Sequence, residues 1–107
     1  MALTKDFRET VRERVQRDPA FRRALLQEAV EQMLSGDVAT GKALLRNYIN
    51  ATLGFQELAR TIRTPSPSLM RMFSPKGNPS AANVFGVIAE LQKQEGINFA
   101  LKAKHRP

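Results

Sequence analysis

Between Thr64 and Ser74 the chain collects side chains that exchange hydrogen bonds without titrating near neutrality: Thr64, Ser66, Ser68, Arg71 and Ser74, interleaved with Pro65, Pro67 and Met70. Hydroxyls and a guanidinium are groups that read base edges or hold phosphate oxygens, and a thioether at Met70 can touch a thymine methyl. They are poor material for making and breaking bonds. The chain has no cysteine and one histidine, His105, in a basic C-terminal tail. That removes thiolate zinc sites, cysteine nucleophiles and nearly all histidine acid–base catalysis. No glycine-rich nucleotide loop, metal-ligand spacing or nucleophile paired with a histidine base occurs, so a non-enzymatic protein without cofactor or metal is expected.

Charge names a partner class. The formal net charge is +7, and eight basic residues stand from Gly54 to Pro107 against Glu57, Glu90 and Glu95. Cations concentrated in this way favour a polyanion, because each phosphate they neutralise releases condensed counterions. The competing reading is a soluble basic surface with no ligand. Arg60 and Arg63 lie away from the apolar side of their own segment and are candidates for phosphate contacts, with solvated surface as the alternative. Lys76, Gly77 and Asn78 precede a helix cap at Ser80 and combine a cation, a pliable backbone and N–H groups at a helix start. They form a candidate phosphate clamp, against the plainer reading of a Pro/Gly turn. Met70 has a second reading too, as core.

Groups like these work only if rigid elements hold them. Phe7, Val11 and Val15 mark a helix over Asp6–Gln16 with a narrow apolar seam, which packs on the rest of the protein or on a second subunit rather than on a membrane. Asp18-Pro19 starts a second helix, an acceptor at the cap followed by a proline where no N–H is needed. Phe21, Leu25, Ala29, Val30, Met33 and Leu34 form its expected buried face, and Ser35-Gly36-Asp37 closes it. A third helix is expected to run to about Leu53, with Leu45, Tyr48, Ile49 and Thr52 on one side and Gly41 weakening it by about 1 kcal/mol relative to alanine.

Phe55, Leu58, Ala59 and Ile62 follow at helical spacing and predict a short helix. Thr64 to Pro67 then breaks it, with Thr64 or Ser66 as cap of another short helix. Leu69, Met72 and Phe73 face inward on that helix, Pro67, Arg71 and Ser74 outward, and Ser68 and Met70 flank them. After a Pro/Gly loop, Ser80 caps a long helix bearing Val84, Phe85, Val87, Ile88 and Leu91, stopped by Gly96. Ile97, Phe99 and Leu101 alternate with smaller or polar residues and permit a short strand before the tail. No apolar run is long enough to span a bilayer and Met1–Asp6 shows no signal region, so a cytoplasmic protein with no membrane association is expected.

One short helix held by a partner helix, with a small, polar and basic outer face, is the geometry that fits the major groove. Leu58-Ala59-Arg60 and the run Ser68-Leu69-Met70-Arg71-Met72-Phe73-Ser74-Pro75-Lys76-Gly77-Asn78-Pro79 resemble the helix-turn-helix core of the HigA-like addiction-module antidote proteins, regulators related to phage repressors. The resemblance extends from about Leu26 to Leu101. It implies a five-helix repressor-like domain, homodimeric binding to a palindromic operator, and autoregulation with a ribosome-dependent ribonuclease toxin as a frequent partner. The sequence departs from the family at the turn, where Arg63, Thr64 and Pro65 replace the usual glycine, apolar residue and serine, and at Pro67, where a polar reader is usual.

The expectation is therefore an all-α fold of five to six helices: a repressor-like helix-turn-helix domain with an extra N-terminal helix and a short C-terminal strand. Residues 1–107 form one domain, comprising N-terminal helices over 1–36, a DNA-binding core over 37–96 and an extension over 97–107. The expected function is that of a dimeric, sequence-specific DNA-binding transcriptional repressor. Thr64, Ser66, Pro67, Ser68, Met70, Arg71 and Ser74 face DNA, and Arg60, Arg63, Lys76, Gly77 and Asn78 touch phosphates. The alternative, motivated by Arg63, Pro65 and Pro67, is an antitoxin-like interaction module that neutralises a small ribonuclease toxin, with DNA binding secondary.

Overall fold

The structure is a computed structural model that describes residues 5–107, apart from the side chains of Lys5, Phe7 and Arg8. Six helices follow one another among these residues: α1 (Lys5–Arg17), α2 (Pro19–Leu34), α3 (Val38–Ala51), α4 (Gly54–Ile62), α5 (Ser66–Met72) and α6 (Ala81–Glu95). Of the seam expected on α1, Val15 is fully buried and Val11 half-buried. Phe7, like the signal-region reading of Met1 to Thr4, lies outside the described residues.

The helix starts follow their caps. The Asp18 carboxylate accepts the Phe21 N–H at 3.1 Å, with Pro19 opening α2. Asp37 accepts the Thr40 N–H at 3.1 Å; the Thr40 side chain first, and this backbone N–H after it, hold its carboxyl below the ordinary carboxylate range. The Ser80 hydroxyl accepts the Asn83 N–H at 3.1 Å. Each such cap satisfies a donor that a helix start leaves free.

Of the face expected on α2, Ala29 is buried and Leu25, Val30 and Met33 pack half-buried against the core; Leu26 is buried as well, whereas Leu34 is 59% exposed. Arg22 also turns inward, and its guanidinium donates to the Glu95 carboxylate at the end of α6. An arginine among apolar residues reads as solvent-facing when its carboxylate partner is far along the chain, and Glu95 is 73 residues away. Tyr48 of α3 donates its hydroxyl to the same oxygen, and Arg22 also donates to the Val15 carbonyl at 3.1 Å. Helices α1, α2, α3 and α6 are thus joined at one point.

Helix α3 stops at Ala51, short of Leu53: the backbone leaves the helical region at Thr52, whose hydroxyl donates to the Tyr48 carbonyl at 2.7 Å. Gly41 is not a weak point. A Cβ there would overlap Met33 of α2 and approach the Ala29 carbonyl to 3.1 Å, so glycine is what lets α2 and α3 pack. The remaining core joins Leu45, Tyr48 and Ile49 to Phe55, Leu58 and Ala59 of α4, to Leu69 and Phe73, and to Val87, Ile88 and Leu91 of α6.

Gly96 ends α6 in the left-handed conformation. The strand expected beyond it does not form, and residues 97–107 have no regular structure. The Phe99 N–H donates to the Gln92 side chain at 2.7 Å and the ring packs on the core, so this extended segment is tied down by one side chain rather than by a neighbouring strand.

Candidate nucleic-acid interface

Helix α4 is amphipathic, with Phe55, Leu58 and Ala59 buried, and it ends at Arg63, which adopts φ 57° and ψ 45°. Arg63 is the one non-glycine among the described residues at positive φ. Residues with a Cβ pay sterically in that region, by roughly 1–2 kcal/mol. Thr64 closes the turn, its N–H donating to the Ala59 carbonyl at 3.0 Å.

Neither expected cap opens α5. The residue before the helix is Pro65, and no side chain caps it; the Pro65 carbonyl accepts from the Ser68 and Leu69 N–H groups at 3.0 and 3.1 Å. The Thr64 hydroxyl instead points to the Ile62 carbonyl at 3.5 Å. Proline at two successive alternate positions sets the backbone here without a side-chain acceptor, because its fixed φ already suits a helix start.

The inner side of α5 is fixed from two directions. Leu69 and Phe73 are buried, and the Phe73 ring meets Phe55 at a centroid distance of 6.4 Å, tilted by 45°. At the carbonyl end, Arg46 of α3 donates to Phe73 at 2.9 Å, and Lys42 of α3 donates to Ser74 at 3.1 Å and to Gly77 at 2.5 Å. Two cations therefore sit where a helix end gathers partial negative charge and unpaired carbonyls. Lys42 does this while only 6% exposed. Both residues escaped the sequence reading as more than charge, although Lys42 shares the α3 side of Leu45 and Ile49.

With the inner side held, the outer side is free. Pro67, Met70 and Arg71 are exposed, Met70 by 54%, so it is not core. Thr64, Ser66 and Ser68 are half-buried beside them, and the Ser66 hydroxyl lies 3.9 Å from the Met70 sulfur. Ser74 contributes less than expected, since its hydroxyl donates to the Arg71 carbonyl at 2.7 Å. Arg63, Lys76 and Asn78 are exposed around this face. Arg60 is exposed as well and pairs with Glu57 at 3.1 Å, a solvent-screened contact of small worth.

Gly77 does not serve as expected. Its N–H already donates to the Ser74 carbonyl at 3.0 Å and its carbonyl holds Lys42, so it has no donor left for a phosphate. Its role is steric: a Cβ would collide with the backbone of Arg71 and Met72, lying 2.5 Å from the Met72 oxygen. The loop is a tight packing of backbone against the end of α5, flanked by Lys76 and Asn78.

The fold and this face define an all-helical protein whose α4 and α5, joined by Arg63–Pro65, present a short polar and basic helix. No helix among the described residues is long and apolar enough to cross a membrane, and no group of metal-ligating side chains occurs among them. No protein family, curated protein or solved structure matches the chain.

Proposed function

We propose that the chain is a sequence-specific DNA-binding transcriptional regulator of the cytoplasm, a non-catalytic repressor of the helix-turn-helix type that acts as a dimer on its own operator. One observation carries the reading: α5 is clamped on one side by Leu69, Phe73, Lys42 and Arg46, while Pro67, Met70 and Arg71 on its other side are exposed. A rigid helix with an idle polar face is what base reading needs, since base contacts specify only when the backbone beneath them does not move. In this reading Arg71 and the Ser66 and Ser68 hydroxyls address base edges and Met70 addresses a thymine methyl. Arg63, Lys76 and Asn78, with Arg60, lie on phosphates.

Selection from a pool of random duplexes tests the reading. A palindromic site is expected, with affinity for it falling linearly in log–log against salt by roughly 0.9 per phosphate contacted. Arg71→Ala is expected to cost about 1–3 kcal/mol on the selected duplex and little on unselected DNA. Enrichment of no sequence, together with affinity indifferent to salt, overturns the reading.

A further inference from the structure

The outer side of α5 carries one side chain that a mild oxidant changes, the thioether of Met70. The chain has no cysteine, so thioethers are its only sulfur. Three methionines fall among the described residues, and their surroundings differ. Met33 and Met72 are half-buried and pack against the core, whereas Met70 is 54% exposed. Oxidation of sulfur follows access, so Met70 is the one an oxidant reaches first. A second feature lies beside it. The Ser66 hydroxyl, one turn earlier on the same helix, is 3.9 Å from the sulfur. A thioether is a weak acceptor and a sulfoxide oxygen a stronger one, so oxidation offers that hydroxyl a better partner within the chain.

We propose that Met70 is a reversible oxidation site through which a hydroperoxide releases the chain from DNA. The inference rests on the regulator reading, which sets Met70 and Ser66 against base edges. With hydrogen peroxide as oxidant, the sulfur lone pair attacks one peroxide oxygen, and an S–O bond forms as the O–O bond breaks. The departing hydroxide takes the proton of the transferred oxygen and leaves as water; sulfur gives up two electrons and the peroxide gains them. A flexible apolar group thereby becomes a polar one at the point where it meets a thymine methyl, and burying it there without a partner is unfavourable. The Ser66 hydroxyl turns to the new oxygen instead of a base. One added atom withdraws two reading groups. The change stays on this side of the helix, because the inner side is held by Leu69, Phe73, Lys42 and Arg46, none of which contains sulfur.

Treatment of the full chain with hydrogen peroxide, stopped at intervals and followed by trypsin and mass spectrometry, reads each methionine separately, because Arg71 stands between Met70 and Met72. Addition of oxygen is expected at Met70 before Met33 or Met72. The chain oxidised at Met70 is expected to bind the selected duplex at least ~10-fold more weakly, a loss of the order of one mismatched base pair. Its helical circular dichroism and thermal midpoint stay as they were, and methionine sulfoxide reductases restore its affinity. Met70→Leu has no sulfur at this position and is expected to bind equally before and after peroxide, whatever its own affinity. Three results overturn the inference and leave the regulator reading standing: Met70 oxidising no faster than Met33 and Met72, an oxidised chain that binds like the untreated one, or a loss of binding that comes with unfolding. An untreated chain that selects no duplex is a separate failure, of the regulator reading, and takes the inference with it.

Discussion

The Lys42 ammonium donates to the Gly77 carbonyl at 2.5 Å, which ties the middle of α3 to the loop after α5. Because the ammonium is buried and also serves Ser74, removing it strands two carbonyls and leaves a gap in the packing. Lys42→Met, which keeps the length of the stem, is expected to lose about 1.5–3 kcal/mol in urea unfolding, as for a hydrogen bond to a charged group. An unchanged urea midpoint would mean that water replaces the ammonium at no cost.

Gly77→Ala is expected to be the more damaging change. The atoms its methyl meets are backbone oxygens of Arg71 and Met72, which cannot swing aside as a side-chain tip does. Overpacking of this kind costs about 1–3 kcal/mol or more. The loss should appear in thermal melts and in faster hydrogen exchange at the end of α5, with α2 protected as in wild type.

Arg63 offers the opposite sign. Its left-handed backbone is one that glycine adopts freely, so Arg63→Gly is expected to raise stability by about 1 kcal/mol after the entropy of the unfolded glycine is subtracted. If Arg63 rests on a phosphate, the same variant lowers the salt slope of DNA binding by about one. Stability and binding then move in opposite directions, and a variant that gains both removes Arg63 from the interface.

Tyr48 is the only tyrosine and there is no tryptophan, so phenolate absorbance reports on this residue alone. Burial, and after it the hydrogen bond to Glu95 and the charge of that carboxylate, push the phenol well above its ordinary pKa of 10. The neutral phenol is therefore favoured in the folded state. Its contribution to stability is fully present below about pH 10 and is lost as pH climbs toward the raised value. The folded protein is expected to show little phenolate near pH 10, where a free tyrosine is half ionised. Tyr48→Phe should flatten the decline of stability above that pH, and a phenol titrating near pH 10 in the folded protein would contradict the burial.

What the sequence made legible, and what it did not, divides by the range of the forces involved. Helices and their caps depend on neighbours a few residues away, so Asp18-Pro19, Ser80 and Gly96 marked their boundaries and the stripe Phe55, Leu58, Ala59 and Ile62 marked α4. The exposed side of α5 was legible for the same reason, because Leu69 and Phe73 fix its inner face. Contacts across the fold were not. Arg22 turned inward only because Glu95 arrives from the far end of the chain, and Lys42 and Arg46 became anchors only once α5 ended against α3. Gly41 and Gly77 read as a weak spot and a pliable loop, since the atoms their Cβ would meet belong to other elements or to a folded-back backbone. The alternation over Ile97–Leu101 suggested a strand but had no edge to pair with.

The meeting of Arg22, Tyr48 and Glu95 bears on how the chain survives its own synthesis. Until Glu95 leaves the ribosome, the first three helices carry a guanidinium and a phenol turned toward a carboxylate that does not yet exist. Chains that stop short of Glu95 should for that reason be degraded readily by cellular proteases, whereas those that include it close on the final turn of α6 and resist them.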